Sequence, residues 1–86
     1  MKNFDDIRKE LKENDNATYI ALEIVGKIMA TRDRKEMSQR ELSRISGVPQ
    51  KTISRIENGI DIPRLDTMVK LTEVLGLKIE LNVSGE

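Results

Sequence analysis

The stretch from Ser38 to Pro63, SQRELSRISGVPQKTISRIENGIDIP, constrains the fold more than any other part of the chain. Ser38 suits a helix N-cap, and Glu41 three residues later completes a capping-box pattern, so a helix is predicted to start here. Leu42 and Ile45 give that helix an apolar stripe. Gly47 tolerates the left-handed conformation and so permits a sharp turn. Pro49 fits the first turn of a second helix, where its missing N–H leaves no partner unsatisfied. That helix is predicted over about Pro49 to Asn58, with Asn58-Gly59 ending it. Ile53 and Ile56 face inward along it, while Gln50, Lys51, Ser54 and Arg55 face outward.

An outward face of Gln, Lys and Arg at helical spacing matches the hydrogen-bonding edges of the DNA major groove. Gln bonds adenine at two atoms, Arg and Lys bond guanine, and each good two-point contact contributes about 1–3 kcal/mol of discrimination. A plain helical hairpin with a polar outer face would share the residue pattern, so the motif is weighed in its context. The run SQRELSRISGVPQKTISRIENG resembles the helix-turn-helix of the Cro/cI-type repressor family, also called XRE-like. The spacing from Gln39 through Leu42, Gly47, Ile53 and Glu57 to Gly59 fits without a gap, and the resemblance covers residues 28–76. It implies that Gln39 braces a phosphate and the recognition helix, and that Gln50, Lys51 and Arg55 face base edges. Thr52 and the loop after Asn58 match phosphate-facing positions. Arg32 and Glu57 fall where the family commonly forms an ion pair between the first long helix and the end of the recognition helix. Glu36 departs from the pattern, standing where the family usually has Gly at a position of positive φ, which Glu tolerates poorly.

Eighty-six residues make one small domain, and chains of this size often complete their core by dimerising. There is no Cys, hence no disulfide, thiol nucleophile or cysteine zinc site. There is no His, which removes the commonest general base and metal ligand. Asp5, Asp6, Glu10 and Glu13 are simplest as a solvated acidic face, so neither an enzyme nor a bound metal or cofactor is expected, and nothing remains to build a small-molecule pocket. No apolar run approaches the ~18 residues of a membrane helix, so a soluble, cytoplasmic chain without membrane role is expected. The 15 basic and 15 acidic residues cancel overall but not locally. Residues 27–58 carry eight basic against four acidic side chains, a net +4, while residues 1–26 and 59–86 are each −2. Local sign governs phosphate attraction within a Debye length, and the acidic flanks suit a basic partner.

Three further helices are predicted around the motif. In residues 3–14, Phe4, Ile7 and Leu11 form a stripe behind a possible Asn3 cap. That short helix either packs on its own domain or docks a partner. Asp15 or Asn16 caps a longer helix, about Ala17 to Arg34, whose apolar positions Tyr19, Ile20, Leu22, Ile24, Val25, Ile28 and Met29 are wide enough for two faces. Gly26 at its centre would be explained by a close helix crossing. Pro63 opens a helix of about Arg64 to Leu75, with Leu65, Met68, Val69, Leu71 and Leu75 inward and Gly76 at its end. In LKIELNV, Leu77, Ile79, Leu81 and Val83 alternate with polar residues, a strand signal. A lone strand edge recruits another chain, and a second copy would give a two-stranded antiparallel lid.

The whole layout resembles the HigA-like antitoxins of bacterial toxin–antitoxin modules, a likeness carried by FDDIRKEL, RLDTMVKLTEVLGLKIELNV and the apolar helix from Tyr19 to Met29. The resemblance implies a RelE/HigB-like ribonuclease toxin as partner, bound through Phe4, Ile7, Leu11 and Tyr19, and repression of the chain's own operon. A HipB-like antitoxin of a kinase toxin would share the plan, as would a stand-alone phage-type or metabolic repressor, or an interaction module that no longer binds DNA. The expected architecture is all-α: a five-helix Cro/cI-type domain with a C-terminal strand pairing across a dimer. It divides into an N-terminal helix (1–15), the helix-turn-helix domain (16–76) and a dimerising strand and tail (77–86). The expected ligand is a palindromic operator in double-stranded DNA.

Overall fold

The computed structural model describes residues 2–83 and contains five helices: α1 (Phe4–Asn14), α2 (Asn16–Arg34), α3 (Gln39–Ser46), α4 (Gln50–Glu57) and α5 (Leu65–Leu75). Each begins close to its expected position, and the local chemistry explains why. Asn3 caps α1 with a full capping box: its side chain accepts from the Asp6 N–H at 2.8 Å, and the Asp6 carboxylate accepts from the Asn3 N–H at 3.4 Å. Asp15 alone joins α1 to α2. Its N–H donates to the Leu11 carbonyl at 2.7 Å, while its carboxylate accepts from the Thr18 N–H at 3.1 Å and the Thr18 hydroxyl at 2.7 Å. Those bonds, the hydroxyl's first, lower the Asp15 pKa.

The α2 terminus is a Schellman turn, with Glu36 N–H on the Asp33 carbonyl and Met37 N–H on the Arg32 carbonyl, both at 3.0 Å. Its left-handed residue is Glu36, at φ +55. The family's glycine position therefore keeps the glycine conformation here, with a side chain added. Ser38 accepts from the Glu41 N–H at 3.0 Å, but the Glu41 carboxylate turns to Arg44, at 2.6 and 3.1 Å. The expected capping box of α3 is thus half formed. Gly47 takes φ +80 between α3 and α4, and the Ser43 hydroxyl donates to the Val48 carbonyl at 2.6 Å across the turn. Pro49 is the N-cap of α4 rather than its first helical residue. Arg64 likewise caps α5.

The core is one cluster of Ile28, Leu42, Val48, Ile53, Leu71 and Leu75, drawn from α2, α3, the turn, α4 and α5. Ile24, Met37, Val74 and Leu77 close around it. The packed helix pairs are α2 with α5 and α4, and α3 with α4 and α5; α1 lies against α2 and buries no residue.

Several inward assignments are corrected by the structure. Ile45, Leu65 and Val69 are exposed, because α3 and α5 each bury one narrow stripe and no further element covers their flanks. Ile20 is exposed as well, so α2 has one fully covered face, built on Ala21, Val25, Ile28 and Thr31. No helix crosses closely at Gly26: a Cβ built there meets no atom within 4 Å. The expected strand over Leu77 to Val83 is not formed, and no strand occurs among the described residues. A strand needs a ladder partner, and the described residues offer no second edge. Leu77 instead packs on the core, Ile79 is exposed, and Leu81 and Val83 project into solvent. Residues 84–86 of the expected tail lie outside the described residues.

Candidate nucleic-acid interface

The helix α4 presents its polar side because its apolar side is pinned. Ile53 and Ile56 are buried, at 1% and 3% exposure. At 100° per residue, Gln50, Ser54, Lys51 and Arg55 then fall within an arc of roughly 140° on the opposite side. Gln50 and Lys51 are fully presented, whereas Thr52, Ser54 and Arg55 are half-buried. Ser54 is partly engaged, since its carbonyl and hydroxyl accept from Asn58 Nδ2 at 2.8 and 3.3 Å.

A buried network sets the pitch of α4. Arg32 donates through Nε to Glu57 Oε2 at 2.9 Å and through Nη2 to Glu57 Oε1 at 2.7 Å. Its remaining nitrogen, Nη1, donates to the Met37 carbonyl at 2.9 Å. Gln39 Nε2 adds a 3.0 Å bond to Glu57 Oε1. The Arg32 and Glu57 side chains are only 14% and 5% exposed, so this is the expected ion pair in a largely dry setting. The Glu57 hydrogen bonds raise the Arg32 pKa against the opposing effect of burial. With every side-chain nitrogen of Arg32 bonded, α2, the α2–α3 turn, the start of α3 and the end of α4 are tied together at one point. Gln39 thereby braces the recognition-position helix through a carboxylate.

Arg55 lies on this arc and pairs with an acidic neighbour. Its Nε and Nη2 donate to the two oxygens of Asp61, at 2.6 and 3.2 Å, in an exposed pair. Each raises or lowers the other in the usual sense: the Asp61 hydrogen bonds push the Arg55 pKa up, and Arg55 holds the Asp61 carboxyl below its ordinary value. Asp61 was not among the candidate residues. Its signal in the sequence is slight, an acidic residue two positions past Gly59, where φ is +73 and the chain folds back over α4. The Ile60 N–H then reaches the Arg55 carbonyl at 2.9 Å.

The positions assigned to a protein partner also come together. Phe4, Ile7, Leu11 and Tyr19 line one open groove of about 370 Å³ between α1 and α2, with Leu22 and Gly26 at its floor. Arg8 bridges the groove to Glu23 at 2.7 Å, and the charges of Arg8 and Lys12 lie 6.0 and 5.9 Å from the Tyr19 ring. Phe4 is 75% exposed and Ile7 is exposed. On the far side of α2, Ile20, Ile24, Leu77, Ile79 and Leu81 line a second apolar groove. No group of three or more acidic side chains is placed to hold a metal ion, and no helix is long and apolar enough to cross a membrane, among the described residues.

Comparison with known proteins agrees with this geometry. The helix-turn-helix family HTH_3 matches residues 28–82, from the middle of α2 to the C-terminal segment. A Haemophilus influenzae protein named as an HTH-type transcriptional regulator is 30% identical over 73 residues, which is 85% of this chain and 70% of the relative. The HTH-type transcriptional regulator y4dL of Sinorhizobium fredii is 41% identical over 63 residues, 73% of this chain, and the match spans only 32% of that longer protein. With the two motif helices, the αL turn between them and the Arg32–Glu57 brace all in place, the chain belongs to the Cro/cI-type (XRE-like) helix-turn-helix family.

Proposed function

We propose that the chain is a DNA-binding transcriptional repressor that places α4 in the major groove as a homodimer. The observation that carries this reading is the polar arc of α4, anchored from behind by Ile53 and Ile56 and fixed in angle by Arg32, Glu57 and Gln39. Gln50, Lys51 and Arg55 meet base edges in this arrangement, and Gln39, Thr52, Ser54 and the Asn58–Asp61 turn lie near the phosphates. Those contacts set register and make binding fall steeply with salt. The two exposed residues Leu81 and Val83, beside the apolar groove at Ile20, supply the dimer contact, with Leu77 and Ile79 as its base. A second copy provides the edge that lets this segment become a strand. Two recognition helices roughly 34 Å apart then require a palindromic operator.

The finer reading is the antitoxin of a type II toxin–antitoxin module. The half-open groove of Phe4, Ile7, Leu11 and Tyr19, flanked by the acidic residues of α1, fits a small basic protein such as a RelE/HigB-like ribonuclease. The chain neutralises that toxin by covering it and represses the operon that encodes both. Co-expression with the product of the adjacent small open reading frame, followed by light scattering, tests this. A stable heteromer with a neighbour that is toxic alone is expected. A lone homodimer beside a harmless neighbour would leave a repressor without a toxin.

A further inference from the structure

The chain holds two arginine–carboxylate pairs that touch α4, and they differ in what they leave free. Arg32 bonds through each of its three side-chain nitrogens and is only 14% exposed, so burial closes it off from a ligand. Arg55 gives only its Nε–Nη2 edge to Asp61. A guanidinium has five N–H donors in a rigid plane, so the Nη1–Nη2 edge of Arg55 keeps two parallel donors. Two parallel donors are what guanine O6 and N7 accept, whereas adenine and cytosine each turn an amino donor toward the same place.

Resting on the DNA-reading function, we propose that Asp61 is a positioning residue: it holds Arg55 so that the free Nη1–Nη2 edge reads guanine. The Asn58–Asp61 turn is built for this. The Gly59 N–H bonds the Ile56 carbonyl at 3.1 Å, and the Ile60 and Asp61 N–H groups both approach the Arg55 carbonyl, at 2.9 and 3.4 Å. Asp61 is therefore tied by its backbone to the residue that its side chain orients. Holding one edge removes rotamer freedom that a lone arginine would lose only on binding.

The test uses the full chain and duplexes selected by it from a random pool, varied to each of the four bases at every position. Wild-type protein is expected to prefer guanine at one position per half-site by roughly tenfold or more. Arg55→Ala should abolish that preference. Asp61→Ala should reduce it to about threefold or less while binding to unrelated DNA tightens, because a negative charge is lost and Arg55 is free to swing to phosphates. Asp61→Asn keeps one acceptor oxygen and should fall between. If Asp61→Ala binds its site more tightly with the guanine preference intact, the pair is a lock that Arg55 must leave, and the positioning role is overturned. A guanine preference that survives in Arg55→Ala overturns it too. A wild type that selects no sequence at all would instead remove the DNA-reading function on which the proposal rests.

Discussion

The helices α1 and α4 invert the relation between local signals and burial. Helix α1 has the most complete cap in the molecule, two acidic residues in its first turn and an ion pair to its neighbour, yet none of its residues is buried. Helix α4 has eight residues and no side-chain cap, yet two of its isoleucines are sealed in the core. Caps and charges decide where a helix starts; burial decides whether it belongs to the cooperative unit. The body from α2 to α5 is held by tertiary contacts, while α1 is a locally formed flap on its surface. The division fits two tasks, because a base-reading face needs rigidity and a docking groove benefits from a surface that can adjust.

The contrast is broken most easily at Glu57. Glu57→Ala leaves the Arg32 guanidinium without its buried partner and should cost about 3–5 kcal/mol in urea unfolding, enough to threaten the whole domain. Leu42→Ala, at a side chain with no exposure, should cost about 2–5 kcal/mol. Phe4→Ala on the flap should change stability by less than about 0.5 kcal/mol, and a larger loss would mean that α1 belongs to the core after all. Two substitutions should stabilise. Gly26→Ala places a methyl in open space within α2 and should gain about 0.8–1.0 kcal/mol. Glu36→Gly relieves the left-handed backbone at φ +55 and should gain about 1 kcal/mol. The smallest effect is electrostatic. Asp61 has its folded pKa lowered by Arg55, so its stabilisation is complete above the ordinary Asp range and is lost as pH falls through the depressed value. NMR titration should show the Asp61 carboxyl below the usual range in wild type and back within it in Arg55→Ala.

The body of the fold was legible because its signals are short-range and agree with one another. Ser38, Gly47, Pro49 and Asn58-Gly59 punctuate the motif within two residues of the observed boundaries. Ile53 and Ile56 oriented α4 correctly, and with it the polar arc. Arg32 with Glu57 came from family resemblance; no local pattern links residues 25 apart. What could not be read depends on which surfaces have neighbours. Ile45, Leu65 and Val69 sit at plausible apolar positions, but none of the described elements covers them. The alternation from Leu77 to Val83 has the strand period, but a ladder requires a partner edge, and none occurs among the described residues. Asp61 escaped notice because its meaning depends on the fold-back at Gly59, which brings it to Arg55.

If the outer arc of α4 reads DNA, footprinting on the DNA upstream of the chain's own gene will show it. Wild-type protein should protect two symmetric half-sites about 34 Å apart, and a Gln50→Ala, Lys51→Ala, Arg55→Ala triple variant with unchanged thermal stability should protect neither. The same footprint from wild type and triple variant would mean that α4 does not read the DNA.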